Sequence, residues 1–419
     1  MTGENGYEDS RTSAVFADLE QVRGWQEDFY RDVHAHPELA HQEHRTASLV
    51  SGRLRGWGYQ VHEGVGGTGV VGVLSNGQGP TVLLRADMDG LPVREETGLS
   101  YASTWACRDG TPLMHACGHD VHVSCLLGAG QLLAGAAGQW QGTVVVLFQP
   151  AEETAEGAQG MVADGLEELV GRPDVAFGQH VLPMPAGRVG TNAGPTLAAA
   201  QSMCVVVHGR GAHGSMPQSA VDPVVLAAMI VVRLQTVVAR EVAPDEPTVL
   251  TVGSIRAGTE SNIIPDRAEI ELSIRTFSEQ TRAQVLEAVE RIVVAECQAS
   301  NCPREPSFDL FGRFPLTDND ASVTRRVAEA FTGFFGERAG RLGRWSASED
   351  FSHLADALGV PYTYWGLGGI ETGLFDRAAR EGRMDQDVPV NHSATFAPVV
   401  QPTLTTGTQA LVVAALAWL

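Results

Sequence analysis

Apolar residues recur at helical spacing through Phe16, Leu19, Val22 and Phe29, and again through Ala47, Val50 and Leu54, where Gly56 and Gly58 close the second segment. After them the period shortens. Apolar runs at residues 70–74, 81–84, 143–148 and 175–177 alternate with turn signals, and a helical stretch at 123–133 separates two of them. Strands alternating with helices predict an α/β fold, a mostly parallel sheet covered by helices. Near Thr196 the pattern changes. From there to about Pro303 it reads strand (203–207), helix (223–238), strand (249–255), strand (268–274) and helix (283–297), a compact α+β unit. The closing run, 410–419, is almost wholly apolar but shorter than the ~20 residues that span a bilayer, so it predicts a helix packed on the core.

Candidate chemistry gathers at the ends of these runs. Met114-His115-Ala116-Cys117-Gly118-His119-Asp120 offers a thiolate and an imidazole two residues apart, with Gly118 removing the side chain that would crowd them. Both are favoured ligands of a borderline-soft divalent metal such as zinc. Alone, the triplet is weak evidence and reads better as a buried small hydrophobe beside a hydrogen-bonded histidine. Glu152 and Glu153, after Pro150-Ala151, add one carboxylate to bind metal and one to move protons. In extended backbone consecutive side chains point opposite ways, so neighbours could divide those jobs. His180 in Gly178-Gln179-His180-Val181 and His392 in Pro389-Val390-Asn391-His392-Ser393 each follow a polar residue at the edge of an apolar run. Arg85-Ala86-Asp87-Met88-Asp89 sets two acids at the end of the strand 81–84. Open α/β sheets place ligands beyond the carboxyl ends of their strands, where these residues would sit. Together they read as a metallohydrolase. Because His392 must return to the first site, the α+β unit is an insertion: residues 10–195 and 304–419 form the metal-binding catalytic domain and 196–303 an inserted domain.

Composition narrows the class. With 419 residues, 43% hydrophobic and 19% charged, the chain can bury substantial cores in two or three domains. A formal net charge of −21 argues against nucleic acid and anionic membrane as partners. Every basic side chain is Arg, since the sequence holds no Lys, and a Schiff-base lysine is thereby excluded. The six cysteines show no small-domain disulfide spacing, and residues 1–10 are acidic and polar with no apolar core of a signal peptide, which fits a reducing cytoplasm.

The motifs RADMDGLP, MHACGHD, QPAEE, GRGAHGSMP, ESNIIPD and SASEDFS, in that order, resemble the M20 metallopeptidase family over nearly the whole chain. Within it they look like the branch of aminoacylases that includes hippurate hydrolases and auxin-conjugate hydrolases. Ala295-Glu296-Cys297-Gln298-Ala299, followed by Pro303-Arg304-Glu305-Pro306, most resembles bacterial N-acyl-glutamine aminoacylases. The resemblance implies two divalent metal ions, zinc first with manganese or cobalt as alternatives. Cys117, His119, Glu153, His180 and His392 would be their ligands and Glu152 the general base. It also implies that residues 196–303 are a lid or dimerisation domain, and a homodimer in which His213 contacts the substrate carbonyl from the partner subunit, with Asn262 and Arg275 holding substrate. Many M20 peptidases have a ligand His where this chain has Asp87, and the contact of Asp87 with metal is left open. Asp89 would orient a ligand histidine, and Glu349 and Asp350 would support the ligands from behind.

Each position has a plainer alternative. His180 and His392 could be satisfied core histidines, the Glu pair a solvated loop, and Arg275 a surface ion pair with Glu269 or Glu271. His34, His36, His41 and His44 read as a solvated helix end rather than a metal cluster. The function that follows is hydrolysis of the amide bond of N-acyl amino acids. A dipeptidase or carboxypeptidase of the same fold is the alternative. A non-catalytic metal-binding protein would not require Glu152 beside Glu153, or His213.

Overall fold

The computed structural model describes residues 10–419, which divide into two compact units. The acidic residues 1–9, where no signal peptide is expected, lie outside the described residues. The first unit takes the chain up to Thr196, Asp318–Gly343 and Asp350–Leu419; the second takes Leu197–Thr317 and Arg344–Glu349.

The first unit is built on an eight-stranded sheet. Its strand order is Gln60–Val65, Gly69–Asn76, Gly142–Gln149, Thr81–Asp87, Val175–Pro185, Tyr362–Ile370, Val189–Thr191 and Ala339–Arg341. The central strands are parallel: Thr81–Asp87 pairs in parallel with Gly142–Gln149 and Val175–Pro185, and Tyr362–Ile370 does so with Val175–Pro185. Gln60–Val65 and Gly69–Asn76 run antiparallel at one edge. The central strands are covered on both faces, so Val82, Leu83 and Leu84 are all buried rather than alternating, as are Val144 to Phe148.

Helix His119–Gly135 lies against this sheet and is buried all round, with Val123, Leu126, Leu127 and Leu133 at 0% exposure. Burial of each such side chain contributes about 1.5–3 kcal/mol. Gly128 lets it approach its neighbours, since a Cβ there would stand 2.6 Å from Gln26 Nε2 and 2.9 Å from Thr408 Oγ1. Gln26 is itself buried in helix Leu19–Ala35 and donates to Ser124 O and Thr408 Oγ1, both at 2.8 Å. The apolar C-terminal run is part of helix Val400–Leu416, and its residues from Ala410 to Leu416 are buried.

The second unit is an antiparallel four-stranded sheet in the order Thr248–Ala257, Arg267–Thr276, Ala199–His208 and Ser307–Phe314. Helices Pro223–Arg240 and Glu279–Ala299 cover one face; Leu226, Ile230, Leu234, Val289 and Val293 pack there against Met203, Val205, Ile270 and Leu272. Strand Ser307–Phe314 pairs with Ala199–His208, which carries the unit past residue 303, where the sequence pattern ends it, to Thr317. The strand follows Pro303-Arg304-Glu305-Pro306 and contains Gly312 and Arg313, so it lacks a clean apolar run. Helix Pro223–Arg240 is long and apolar enough to cross a membrane by length and composition. Its inner stripe packs on the sheet of its own unit.

Candidate metal centre

The centre lies at the carboxyl ends of the parallel strands of the first unit. Strand Thr81–Asp87 leads to Asp89, strand Gly142–Gln149 leads to Glu152 and Glu153, and strand Val175–Pro185 carries His180. Cys117 and His119 stand at the start of helix His119–Gly135, and Gly118 between them is left-handed at φ 86°. A Cβ on Gly118 would lie 2.3 Å from Val181 Cγ1, so both conformation and space require glycine. His392, itself at φ 69°, joins from a loop whose backbone amide donates to Ala116 O at 2.8 Å.

Hydrogen bonds fix which ring nitrogen of each histidine faces the centre. His119 Nδ1–H donates to Asp89, to its carbonyl at 2.9 Å and its carboxylate at 3.1 Å. That leaves Nε2 with the lone pair, and Nε2 is buried without a hydrogen-bond partner among the described residues. His180 Nδ1–H donates to Val181 O at 2.8 Å, and its Nε2 stands 3.4 Å from Cys117 Sγ. Glu153 reaches His392 Nε2 at 3.3 Å, and its second oxygen is buried and also without a partner among the described residues.

The ligand atoms of Cys117, His119 and His180 lie within 4.8 Å of one another, and so do those of Cys117, Glu153 and His392. Cys117 belongs to both groups. All five expected ligands therefore converge, and soft sulfur, imidazole and carboxylate donors with unpaired buried atoms fit divalent cations. Burial, then the Glu153 charge, pushes the Cys117 thiol up; a cation is what would release its proton. Cys117 and Glu153 hold His392 up at about 10. Burial and the adjacent His122 hold His180 well below its ordinary value, in the neutral form a ligand needs.

Glu152 and Glu153 do not divide their work by pointing to opposite sides. The backbone there is a turn rather than a strand, with Ala151 at φ 49° and Ala155 at φ 59°. In consequence Glu152 Oε2 and Glu153 Oε1 both stand 3.9 Å from His119 Nε2. Nor is the pair a solvated loop: Glu152 is 5% exposed.

The surrounding residues brace this set. Asp89 accepts from the Glu153 amide at 2.9 Å as well as from His119, tying His119 to the loop that carries Glu153. Asp87 gives one oxygen to His122 Nδ1–H at 2.5 Å and the other to Arg85 at 2.6 Å. Its carboxylate is thus engaged by protein, and His122 Nε2 in turn accepts from the Val181 amide at 2.8 Å. Asp350 is buried and accepts from Gln149 Nε2 at 2.6 Å, from Arg85 at 3.2 Å and from the Ala158 amide at 3.1 Å. Glu349 is buried and belongs to the second unit.

Three braces were not legible as such. His122 follows His119 by three residues on the same helix face, which was a usable signal. Arg85 is a charge inside an apolar strand, another signal. Asn391, whose side-chain amide donates to Cys117 O at 3.0 Å and Val181 O at 3.1 Å, gave none beyond adjacency to His392.

His213, Asn262 and Arg275 stand in the second unit. His213 is exposed, on a two-residue strand paired with Ile263–Ile264, and the Asn262 carbonyl accepts from the Gly214 amide at 2.7 Å. His213 also lines a groove of about 860 Å³ with Arg256, Ile263, Asp266 and Arg267. Arg275 is not ion-paired with Glu269 or Glu271, which both bind Arg256, at 2.8 and 2.7 Å. It donates instead to Ser346 O at 2.8 Å and Ser348 Oγ at 2.9 Å.

Among the four early histidines, His34 is not at a solvated end. It is 0% exposed between Asp120 at 2.6 Å and Glu95 at 3.1 Å. His41 does make a surface pair, with Glu156 at 3.0 Å.

The model of peptidase family M20/M25/M40 matches residues 83–382. The chain is 35% identical to hippurate hydrolase of Campylobacter jejuni, over 84% of this chain and 90% of that one. It is 36% identical to thermostable carboxypeptidase 1 of Saccharolobus solfataricus, over 84% and 87%. A crystal structure of a Bacillus subtilis dinuclear metal-binding peptidase from family M20 superposes with a TM-score of 0.75 at 27% identity, covering 95% of this chain and 99% of that one. These likenesses, over most of the length of each protein, show that the chain belongs to peptidase family M20/M25/M40, in its aminoacylase and hippurate hydrolase branch.

Proposed function

We propose that this enzyme cleaves the amide bond of N-acyl amino acids, releasing a carboxylic acid and a free amino acid, and that Cys117, His119, Glu153, His180 and His392 hold two divalent metal ions, zinc in the native enzyme. The observation that supports this reading is the convergence of Glu152 and Glu153 on His119 Nε2, which would set a proton-transfer group beside the proposed ligands. Cys117, common to both ligand groups, would serve both ions. When bound, the metal pair supplies Lewis-acid polarisation of the amide carbonyl and acidifies the attacking water. Glu152 accepts the water's proton and returns it to the leaving nitrogen. Such transfer typically contributes ~10²–10⁴-fold in rate. Asp89 keeps the His119 ring in its Nδ1–H form, so that Nε2 stays a ligand. The fork of Arg275 suits the substrate carboxylate, which its planar guanidinium can bind through both oxygens. Asn262 would hold the same substrate.

The molecule works as a homodimer, with His213 reaching the carbonyl in its partner's site. Helix Pro223–Arg240 supports this, because Val225, Met229 and Val232, at i, i+4 and i+7, are exposed by 60%, 53% and 68%. A second copy would cover that stripe. Six free cysteines fit a cytoplasmic enzyme, and the net charge of −21 argues against nucleic acid or an anionic membrane as a partner.

The likeness to a carboxypeptidase supports a second reading, cleavage of peptides at the carboxyl end. Assay of the zinc-, manganese- and cobalt-loaded enzyme against N-acyl amino acids, free dipeptides and N-blocked peptides separates the two. Turnover of simple N-acyl amino acids above the peptides is expected. Preference for peptides would replace the first reading by the second.

A further inference from the structure

Glu43 stands at the N-terminus of helix His44–Gly56, where an acidic side chain ordinarily accepts from the first free amides of its own helix. It does not. Those amides are taken by Glu38, whose carboxylate accepts from Arg45 N at 2.8 Å and from Thr46 N at 2.8 Å. Glu43 is left to turn inward. It is 0% exposed, and its two oxygens accept from the Ala151 amide at 2.8 Å and the Thr68 hydroxyl at 2.5 Å.

Ala151 precedes Glu152 and is held at φ 49°, a left-handed conformation that costs a non-glycine residue energy unless its surroundings enforce it. On the other side of Glu152, the Glu153 amide is held by Asp89 at 2.9 Å. The backbone on both sides of Glu152 is therefore clamped by a buried carboxylate. Gly157 shows how tightly the turn is wound, since a Cβ there would fall 1.6 Å from Pro150 O. A neutral acceptor would satisfy the Ala151 amide without the desolvation that burying a carboxylate entails. Burial does raise the pKa of Glu43, although Thr68 and Ala151 oppose it.

We propose that Glu43 is a positioning residue for catalysis: through the Ala151 amide it fixes the left-handed turn that aims the Glu152 carboxylate into the metal centre. This rests on the reading of Glu152 as the base. Glu43 touches neither substrate nor metal and acts only by where it holds the next turn of chain. Misplacement of a reacting group by about 1 Å can cost ~10²-fold.

The test compares kcat, KM and bound metal for Glu43→Ala, Glu43→Gln, Glu152→Gln and the double variant Glu43→Ala/Glu152→Gln. Glu43→Ala is expected to lose about 10²-fold in kcat with KM and metal content near those of the parent. Glu43→Gln should recover most of the loss, because its carbonyl can still accept from Ala151 and its amide can donate to Thr68. In the double variant the Glu43 change should cost nothing further, since there is no base left to aim. Equal losses for Glu43→Ala and Glu43→Gln, or an undiminished loss in the double variant, would overturn the proposal. Failure of the underlying reading looks different: Glu152→Gln alone would turn over normally. Should Glu43→Ala not fold, Glu43→Asp withdraws the carboxylate by one methylene and carries the same comparison.

Discussion

At the scale of single residues, the chain sorts its buried charges by what they hold. Arg85 bridges Asp87 and Asp350 beside the candidate metal centre, and the two carboxylates keep His122 and Gln149 in place. His34 does comparable work farther along, joining helix Leu19–Ala35 to Asp120, the residue after His119, and to Glu95. Burial alone would lower its pKa, but hydrogen bonds and charge from Asp120 and Glu95 raise it to about 10 from the ordinary 6.5. The sign of the pH effect follows. A group whose folded pKa lies above its unfolded value stabilises fully below the unfolded value and loses that contribution as pH rises through the folded one. Part of the enzyme's stability should therefore disappear between about pH 6.5 and pH 10. His34→Ala should lower stability by about 3 kcal/mol near neutral pH, the usual cost of breaking a buried pair, and should flatten that decline. Denaturant titrations of both proteins across this range check it; parallel pH profiles would show that His34 is not the titrating group.

At the scale of elements, the periodicity of the sequence was legible wherever one physical effect dominated. Buried parallel strands must be continuously apolar, so residues 81–84 and 143–148 announced strands that the structure extends to Thr81–Asp87 and Gly142–Gln149. Helices with one buried stripe announced themselves equally well, as at Phe16 to Phe29, although the first turns split into Ser10–Val15 and a short 3₁₀ segment before Leu19. Strand Ser307–Phe314 was missed because its apolar positions are broken by Gly312 and Arg313, and pairing with Ala199–His208 defines it instead. Local spacing also brought forward Cys117 and His119 as candidate ligands, and the Glu pair as one candidate ligand and one proton-transfer group. It could not show the turn that aims Glu152, because that turn depends on Glu43 and Asp89, which lie far from it in sequence. His34 was misjudged for the same reason. Pro37 and nearby charges suggest solvent, whereas the partners that bury it come from residues 95 and 120.

At the scale of the whole molecule, the proposed dimer makes a demand that no single chain meets, a site completed by His213 from a second copy. Hydrogen-bond donors aimed at a developing oxyanion contribute ~10²–10³-fold in kcat. His213→Ala and Glu152→Gln subunits should each be weakly active alone, and mixing them should restore activity, because each hybrid dimer holds one intact site. Hybrids that form and stay inactive would place His213 within its own chain's work. The central claim is that this is a metal-dependent amidohydrolase whose base is Glu152, and one protein tests it most directly. Metal content and kcat of purified Glu152→Gln should show both metals retained and turnover reduced by ~10²–10⁴-fold. Near-normal turnover, or a lost metal, would contradict it.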